Sequence, residues 1–192
     1  MPLILASASS TRRQMLDAAG IAYGAQPSTI DESAFKSATG DPRVTALELA
    51  KAKALDVSRQ APDEWVIGSD SIVSVEGRLF DKPASRDDAV EHLRFFSGKT
   101  MELTSAVGLA RRGEIDWEHG ETARLQVRSL SDAFIAAYLD AEWPEVGYCV
   151  GVFRMEGRGV NLFESVTGDH FAILGMPLIP LLGALRERGV IA

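Results

Sequence analysis

The chain has 192 residues, and 20 Lys+Arg against 27 Asp+Glu leave a net charge of −7 at pH 7. A hydrophobic share of 46% excludes general disorder and is enough to bury a core without disulfides. An acidic chain has no broad attraction for nucleic acid or an anionic membrane, so an anionic ligand must meet a local cluster of cations.

The single cysteine, Cys149, excludes an internal disulfide and a cysteine-based zinc cage, and reads as a small buried hydrophobe. The start of the chain lacks a basic segment followed by a long apolar one, and no apolar run approaches the roughly 18–20 residues of a membrane span. A cytoplasmic protein with no membrane and no nucleic-acid partner is therefore expected. Without repeats, low complexity or flexible linkers, residues 1–192 read as one folding unit.

In chain order, Leu3-Ile4-Leu5-Ala6 reads as a short buried strand, followed by a helix over residues 11–19 that Gly20 closes. Asp41 and Pro42 open a second helix that runs to about Arg59. Residues 65–75 read as a central strand, turned into a hairpin by Glu76-Gly77. A third helix covers residues 85–96, with Ala89, Leu93 and Phe96 on one face. Extended stretches at 100–110 and 122–129 follow, separated by glycine- and charge-rich turns. Residues 131–142 read as a helix ended by Trp143-Pro144. A glycine-dense region leads to a strand at about 160–163, and the last helix opens at Met176-Pro177. Crossovers mixed with hairpins imply an α/β or α+β protein with a long mixed sheet.

Three places carry chemistry. Ser7-Ala8-Ser9-Ser10-Thr11-Arg12-Arg13-Gln14 joins a strand to a helix start, where hydroxyls, free N–H groups and the helix dipole favour an anion. The same segment also reads as simple capping, with Thr11 and Gln14 forming a capping box and both arginines in solvent. Asp70 lies inside an apolar strand, where an unpaired carboxylate costs several kcal/mol. That placement reads as a base or metal ligand, or else the strand stops at Gly68 and Asp70 sits in a turn. On the second helix Lys53 falls within the stripe of Ala46, Leu49, Ala50 and Val57, and Lys51 occupies a similar place on the opposite side. Each must snorkel or meet an anion, and the pattern does not choose between them. The histidines His92, His119 and His170 lack ligand spacing and are assigned no chemistry.

These residues fall into ordered blocks: Leu3-Ile4-Leu5-Ala6-Ser7 with Ser9 and Arg12-Arg13, then Asp31-Glu32, residues 49–54, Gly68-Ser69-Asp70, Lys82-Pro83 and Ser97-Gly98-Lys99. Phe153-Arg154-Met155-Glu156-Gly157 and Gly175-Met176-Pro177-Leu178 complete the set. Together the blocks resemble the Maf-like nucleotide pyrophosphatases, historically described as septum-formation inhibitors. The resemblance implies a two-lobed α/β fold around a cleft, shared with the inosine-triphosphate pyrophosphatases. It further implies hydrolysis of a nucleoside triphosphate to monophosphate and pyrophosphate with Mg²⁺ or Mn²⁺, and a homodimer.

On that resemblance Ser7, Ser9, Arg12 and Arg13 hold phosphate, Lys53 and Lys82 neutralise the triphosphate, Glu32 binds metal, and Asp70 activates water while also touching the metal. Three positions distinguish branches of the family, and here they hold Thr11, Ser71 and Glu156. Only Glu156 matches a branch residue, that of the 7-methyl-GTP enzymes, which implies a purine-type or modified nucleotide. The alternatives are dTTP or UTP as substrate, or a nucleotide-binding regulator of cell division without turnover.

Overall fold

The computed structural model describes residues 2–38 and 40–192, with the backbone alone at 36–38; Met1 and Thr39 lie outside it. The strands are β1 (Leu3–Leu5), β2 (Gly24–Ala25), β3 (Trp65–Val75), β4 (Arg78–Phe80), β5 (Thr100–Arg111), β6 (Glu114–Val127) and β7 (Phe163–Thr167). The helices are α1 (Ser10–Ala18), α2 (Ser33–Ala38), α3 (Pro42–Gln60), α4 (Arg86–Phe96), α5 (Asp132–Glu142), α6 (His170–Ile173) and α7 (Leu178–Glu187).

The strands form a seven-stranded sheet of order β2-β1-β3-β5-β6-β7, with β4 paired to β3. β1 runs parallel to β2 and β3, whereas β3–β4 and β6–β7 are antiparallel, so the sheet is mixed and the fold is α/β as expected.

Most boundaries follow local chemistry. Ser85 and Ser131 cap α4 and α5 by accepting from Asp88 N and Phe134 N, and Asp41 caps α3 ahead of Pro42. Three readings are corrected. The cap of α1 is Ser9, which accepts from Arg12 N, so the helix start is not organised by a Thr11–Gln14 capping box. β6 begins at Glu114, eight residues before the expected 122, because Arg112 and Gly113 adopt positive φ and make a tight hairpin with β5. Its first half alternates between exposed and half-buried residues, a pattern that a search for continuous apolar runs passes over. Arg158–Leu162 is a 3₁₀ turn, and the strand expected at 160–163 begins only at Phe163. The short elements β2, α2 and α6 had no sequence counterpart.

By contacts the chain divides into two compact units. One comprises Met1–Ser71, Thr104–Thr122 and Asp169–Ala192; the other comprises Ile72–Leu103 and Ala123–Gly168. In the first, Leu3, Leu5, Leu16, Ile67 and Leu109 meet Leu181 and Leu185 of α7, while Ala6, Ala54, Val57, Val66 and Ala110 form a second cluster. In the second, Phe80 packs edge-on to Phe96 with ring centroids 4.7 Å apart, and buried Tyr138 donates to Val152 O at 3.0 Å. None of the described helices is long and apolar enough to cross a membrane.

The tightest packing in the first unit lies under α3. A Cβ on Gly68 of β3 would stand 2.1 Å from Ala50 O and 2.5 Å from Ala54 N, and one on Gly108 of β5 would stand 3.4 Å from Lys51 Cα. The alanine face of the helix rests on strand backbone, with no side chain between them.

Gly68→Ala therefore forces α3 off the sheet and should lower stability by about 3 kcal/mol or more in chemical denaturation. Gly183, inside α7 with nothing within 4 Å of its notional Cβ, gives the opposite sign: Gly183→Ala should stabilise by about 0.5–1 kcal/mol.

His92 supplies a pH signature in the second unit. Its ring stands edge-on to Phe80 at 5.1 Å, its Nδ1 is buried with no partner among the described residues, and burial holds its pKa below the ordinary 6.5, opposed by the charge of Asp88. The folded state favours the neutral ring, so this contribution is present above the unfolded value and is lost as pH falls below 6.5. Comparing unfolding at about pH 7.5 and about pH 5.5 should show a loss that His92→Phe reduces.

Candidate active site

The junction of β1 and α1 places Ser7, Ser9 and Arg12 together. Ser7 Oγ accepts from Ser9 N at 3.2 Å and from Arg12 Nη1 at 3.4 Å. The rest of the Arg12 fork is fixed by groups far away in sequence. Its Nε donates to Gly175 O at 2.9 Å, Nη1 to Ser69 O at 2.9 Å, and Nη2 to Ser71 Oγ at 3.2 Å. Burial pushes the guanidinium below its ordinary pKa, and the charges of Asp70 and Glu32 pull it back. Arginine nevertheless stays protonated in proteins, so the group remains a fixed cation.

Ser71 completes this cradle. It donates its single proton to Gly175 O at 3.2 Å, and Ser105 Oγ, 2.8 Å away and fully buried, is then the donor to it. Gly175 also accepts from Ser69 Oγ at 3.1 Å and has φ of +106°, a conformation open to glycine. No role for Gly175, Ser69 or Ser105 was read from the sequence, and what could have shown one was the glycine in Gly175-Met176-Pro177. Ser71, a position expected to discriminate bases, spends its hydrogen-bonding capacity inside this net, on Gly175, Ser105 and Arg12.

Arg13 makes no bond within this cradle among the described residues: its backbone carbonyl accepts from Tyr23 Oη at 3.2 Å, and its Nε is buried with no partner among them. Thr11 is half-buried in the first turn of α1.

The second cluster is acidic and shares one ammonium. β3 continues past Gly68, so Asp70 lies within the strand at 6% exposure, and the alternative of a turn is overturned. Lys53 Nζ donates to Asp70 Oδ1 at 2.5 Å and stands 2.6 Å from Glu32 Oε1, which joins helix, strand and the loop before α2. Lys51 turns to Glu48 and Glu118 at 2.6 and 3.2 Å, so tertiary contacts settle which lysine meets the buried carboxylate.

Lys82 and Glu156 belong to the second unit. There Lys82 is exposed just after β4, and Glu156 Oε1 stands 3.8 Å from Arg154 Nε. Half-buried Cys149 has its thiol pushed up in pKa by burial first and by the Glu156 charge next, which fits an unreactive packed side chain. His119 pairs with Glu121 at 2.9 Å, away from the acidic pair in sequence and without ligand spacing.

Among the described residues no group of three or more His, Cys, Asp or Glu is arranged to hold a metal. Glu32 and Asp70 nevertheless fit Mg²⁺ or Mn²⁺, which take one or two protein carboxylates and fill their shells with water and phosphate oxygens. Lys53 already shows that a cation is held between this pair. Removing it as Lys53→Met leaves two carboxylates together, one of them buried. The variant should lose about 3 kcal/mol in thermal unfolding.

Comparison with known proteins places this geometry in a family. A model described as Maf-like protein matches residues 2–188. The chain is 46% identical over 193 residues to a 7-methyl-GTP pyrophosphatase of Rhizobium etli, covering 98% of this chain and 97% of that one. It is 45% identical over 193 residues to a nucleoside triphosphate pyrophosphatase of Nitrobacter hamburgensis, covering 100% and 96%. A solved HAM1 protein from Coxiella burnetii aligns with 66% of this chain and 73% of its own at 13% identity and a TM-score of 0.48, a likeness too slight to carry an argument. With residues 2–188 matched, nearly its whole length, the chain belongs to the Maf-like protein family.

Proposed function

We propose that this Maf-like protein cleaves a nucleoside triphosphate between its α- and β-phosphates, releasing a monophosphate and pyrophosphate. It is a nucleoside triphosphate pyrophosphatase, as its full-length relatives are named. The observation that carries the reading is the buried Asp70, joined through Lys53 to Glu32 and facing the charge of a pre-oriented Arg12.

Each group has a task. Ser7, Ser9 and the helix start of α1 offer donors to phosphate oxygens, and Arg12 supplies a cation whose orientation is fixed before substrate arrives. Asp70 has Oδ1 on Lys53, while Oδ2 takes no hydrogen bond from the described residues. Oδ2 is therefore the oxygen that can accept the proton of an attacking water. Lys53 supplies the counter-charge to Asp70 and offsets triphosphate charge. A divalent cation held by Glu32 and Asp70 would screen phosphate charge and polarise water when bound.

For the base we favour a guanine-type or methylated guanine nucleotide. The Glu156 carboxylate can accept from the N1–H and 2-amino edge of guanine, an edge that thymine and uracil lack. The name of the Rhizobium etli relative supports this choice.

Pyrophosphate release from dTTP, UTP, CTP, GTP and 7-methyl-GTP with Mg²⁺ or Mn²⁺ tests the reading. Turnover should be fastest on the guanine nucleotides and fall by about 10²-fold or more in Asp70→Asn. Turnover of dTTP and UTP alone would overturn the base assignment and keep the enzyme class. Nucleotide binding with no turnover would replace the enzyme with a sensor.

A further inference from the structure

The catalytic reading leaves unused a carboxylate, Asp56, on the same face of α3 as Lys53. Lys53, Asp56 and Gln60 follow at i, i+3 and i+7, the spacing that stacks side chains along one side of a helix. Each holds a different point of the segment that runs from β2 to α2. Gln26 Nε2 donates to Gln60 Oε1 at 3.0 Å. Asp56 Oδ2 accepts from Ser28 Oγ at 2.8 Å, Thr29 N at 2.9 Å and Thr29 Oγ1 at 3.4 Å. Lys53 meets Glu32.

Both ends of the segment are also fixed, Gln26 N to Leu5 O at 3.1 Å and Asp31 Oδ1 to Ser33 N at 2.9 Å. Asp56 is the middle hold. It draws three donors onto one oxygen, and two residues separate its contacts from Glu32. Glu32 is the more exposed member of the acidic pair, its side chain at 41% against 8% for Asp70, so packing alone does not fix it.

We propose that Asp56 is a positioning residue that sets Glu32 beside Asp70 by clamping Ser28 and Thr29 to α3. The inference rests on the assignment of Glu32 as a cation ligand. Without the clamp, the loop gains conformations that carry Glu32 away, and cation binding must supply the ordering entropy. Loss of such an outer support weakens metal affinity by about 10-fold or more. The chemical step with metal saturating stays near wild type, because Asp70, Lys53 and Arg12 do not touch the clamp.

The test measures Mn²⁺ binding to the full chain by electron paramagnetic resonance of the free ion, with α,β-methylene-GTP present so that nothing is hydrolysed. Asp56→Ala should raise the Mn²⁺ dissociation constant by about 10-fold with an unfolding midpoint near that of wild type, and Asp56→Asn, which keeps an acceptor, should recover part of the affinity. Should Asp56→Ala fail to fold, the pair Ser28→Ala with Thr29→Ala removes both side-chain donors from the other side and should weaken binding in the same direction. Unchanged Mn²⁺ affinity in these variants, whatever their stability, overturns the inference when Glu32→Gln weakens binding. Unchanged affinity in Glu32→Gln as well overturns the assignment of Glu32 itself.

Discussion

Helix α3 lies against β3 and β5 at a distance that only glycine permits. At Gly68 a single added carbon would fall inside the carbonyl of Ala50, and Gly108 extends the close approach to the neighbouring strand. The alanines at 50 and 54 suit the same approach: helix and strand backbones meet almost directly. This seating decides the chemistry. A helix held farther out by bulkier residues would leave Lys53 short of Asp70, and the strand would carry a carboxylate with no counter-charge in an apolar layer.

From that contact the charge pattern of the first unit follows. Lys53 reaches Asp70 and in turn draws Glu32 onto the same point. Arg12 approaches the acidic group by another route, through a net of serine hydroxyls and the carbonyls of Ser69 and Gly175. An arginine fixed by neutral acceptors keeps its full charge for an incoming anion, whereas one paired to a carboxylate would have spent it. The acidic chain as a whole repels polyanions, yet it assembles a cationic fork at one helix start, which suits a small, metal-screened phosphate ligand.

Much of this was legible in the order of residues. The span of β3 was readable at both ends, since its apolar run is bounded by Trp65 and by the Glu76-Gly77 turn. So were the caps Asp41, Ser85 and Ser131, because capping is chemistry between neighbours. The start of β6 was missed, since its first half alternates on a half-exposed face and gives no apolar run. The Ser9 cap was displaced by a plausible competitor, Thr11 with Gln14, two residues away. Asp70 stood out because a carboxylate in an apolar strand needs a reason, and Gly175 did not, because its work is to offer a carbonyl to residues more than 100 positions earlier.

The sequence by itself determined most of the longer elements, the mixed character of the sheet and the residue types of the site, because caps, turns and periodicity act over a few residues and leave a local trace. It also carried the family pattern in the order of the blocks. Tertiary structure alone decided which of two helical lysines meets Asp70, which of two adjacent arginines enters the cradle, and that Ser71 serves Arg12. Those choices depend on the rotation of a helix about its axis and on the distance at which it packs. Both are fixed by long-range contacts such as that of Gly68 with Ala50 and Ala54, which no single stretch of sequence contains.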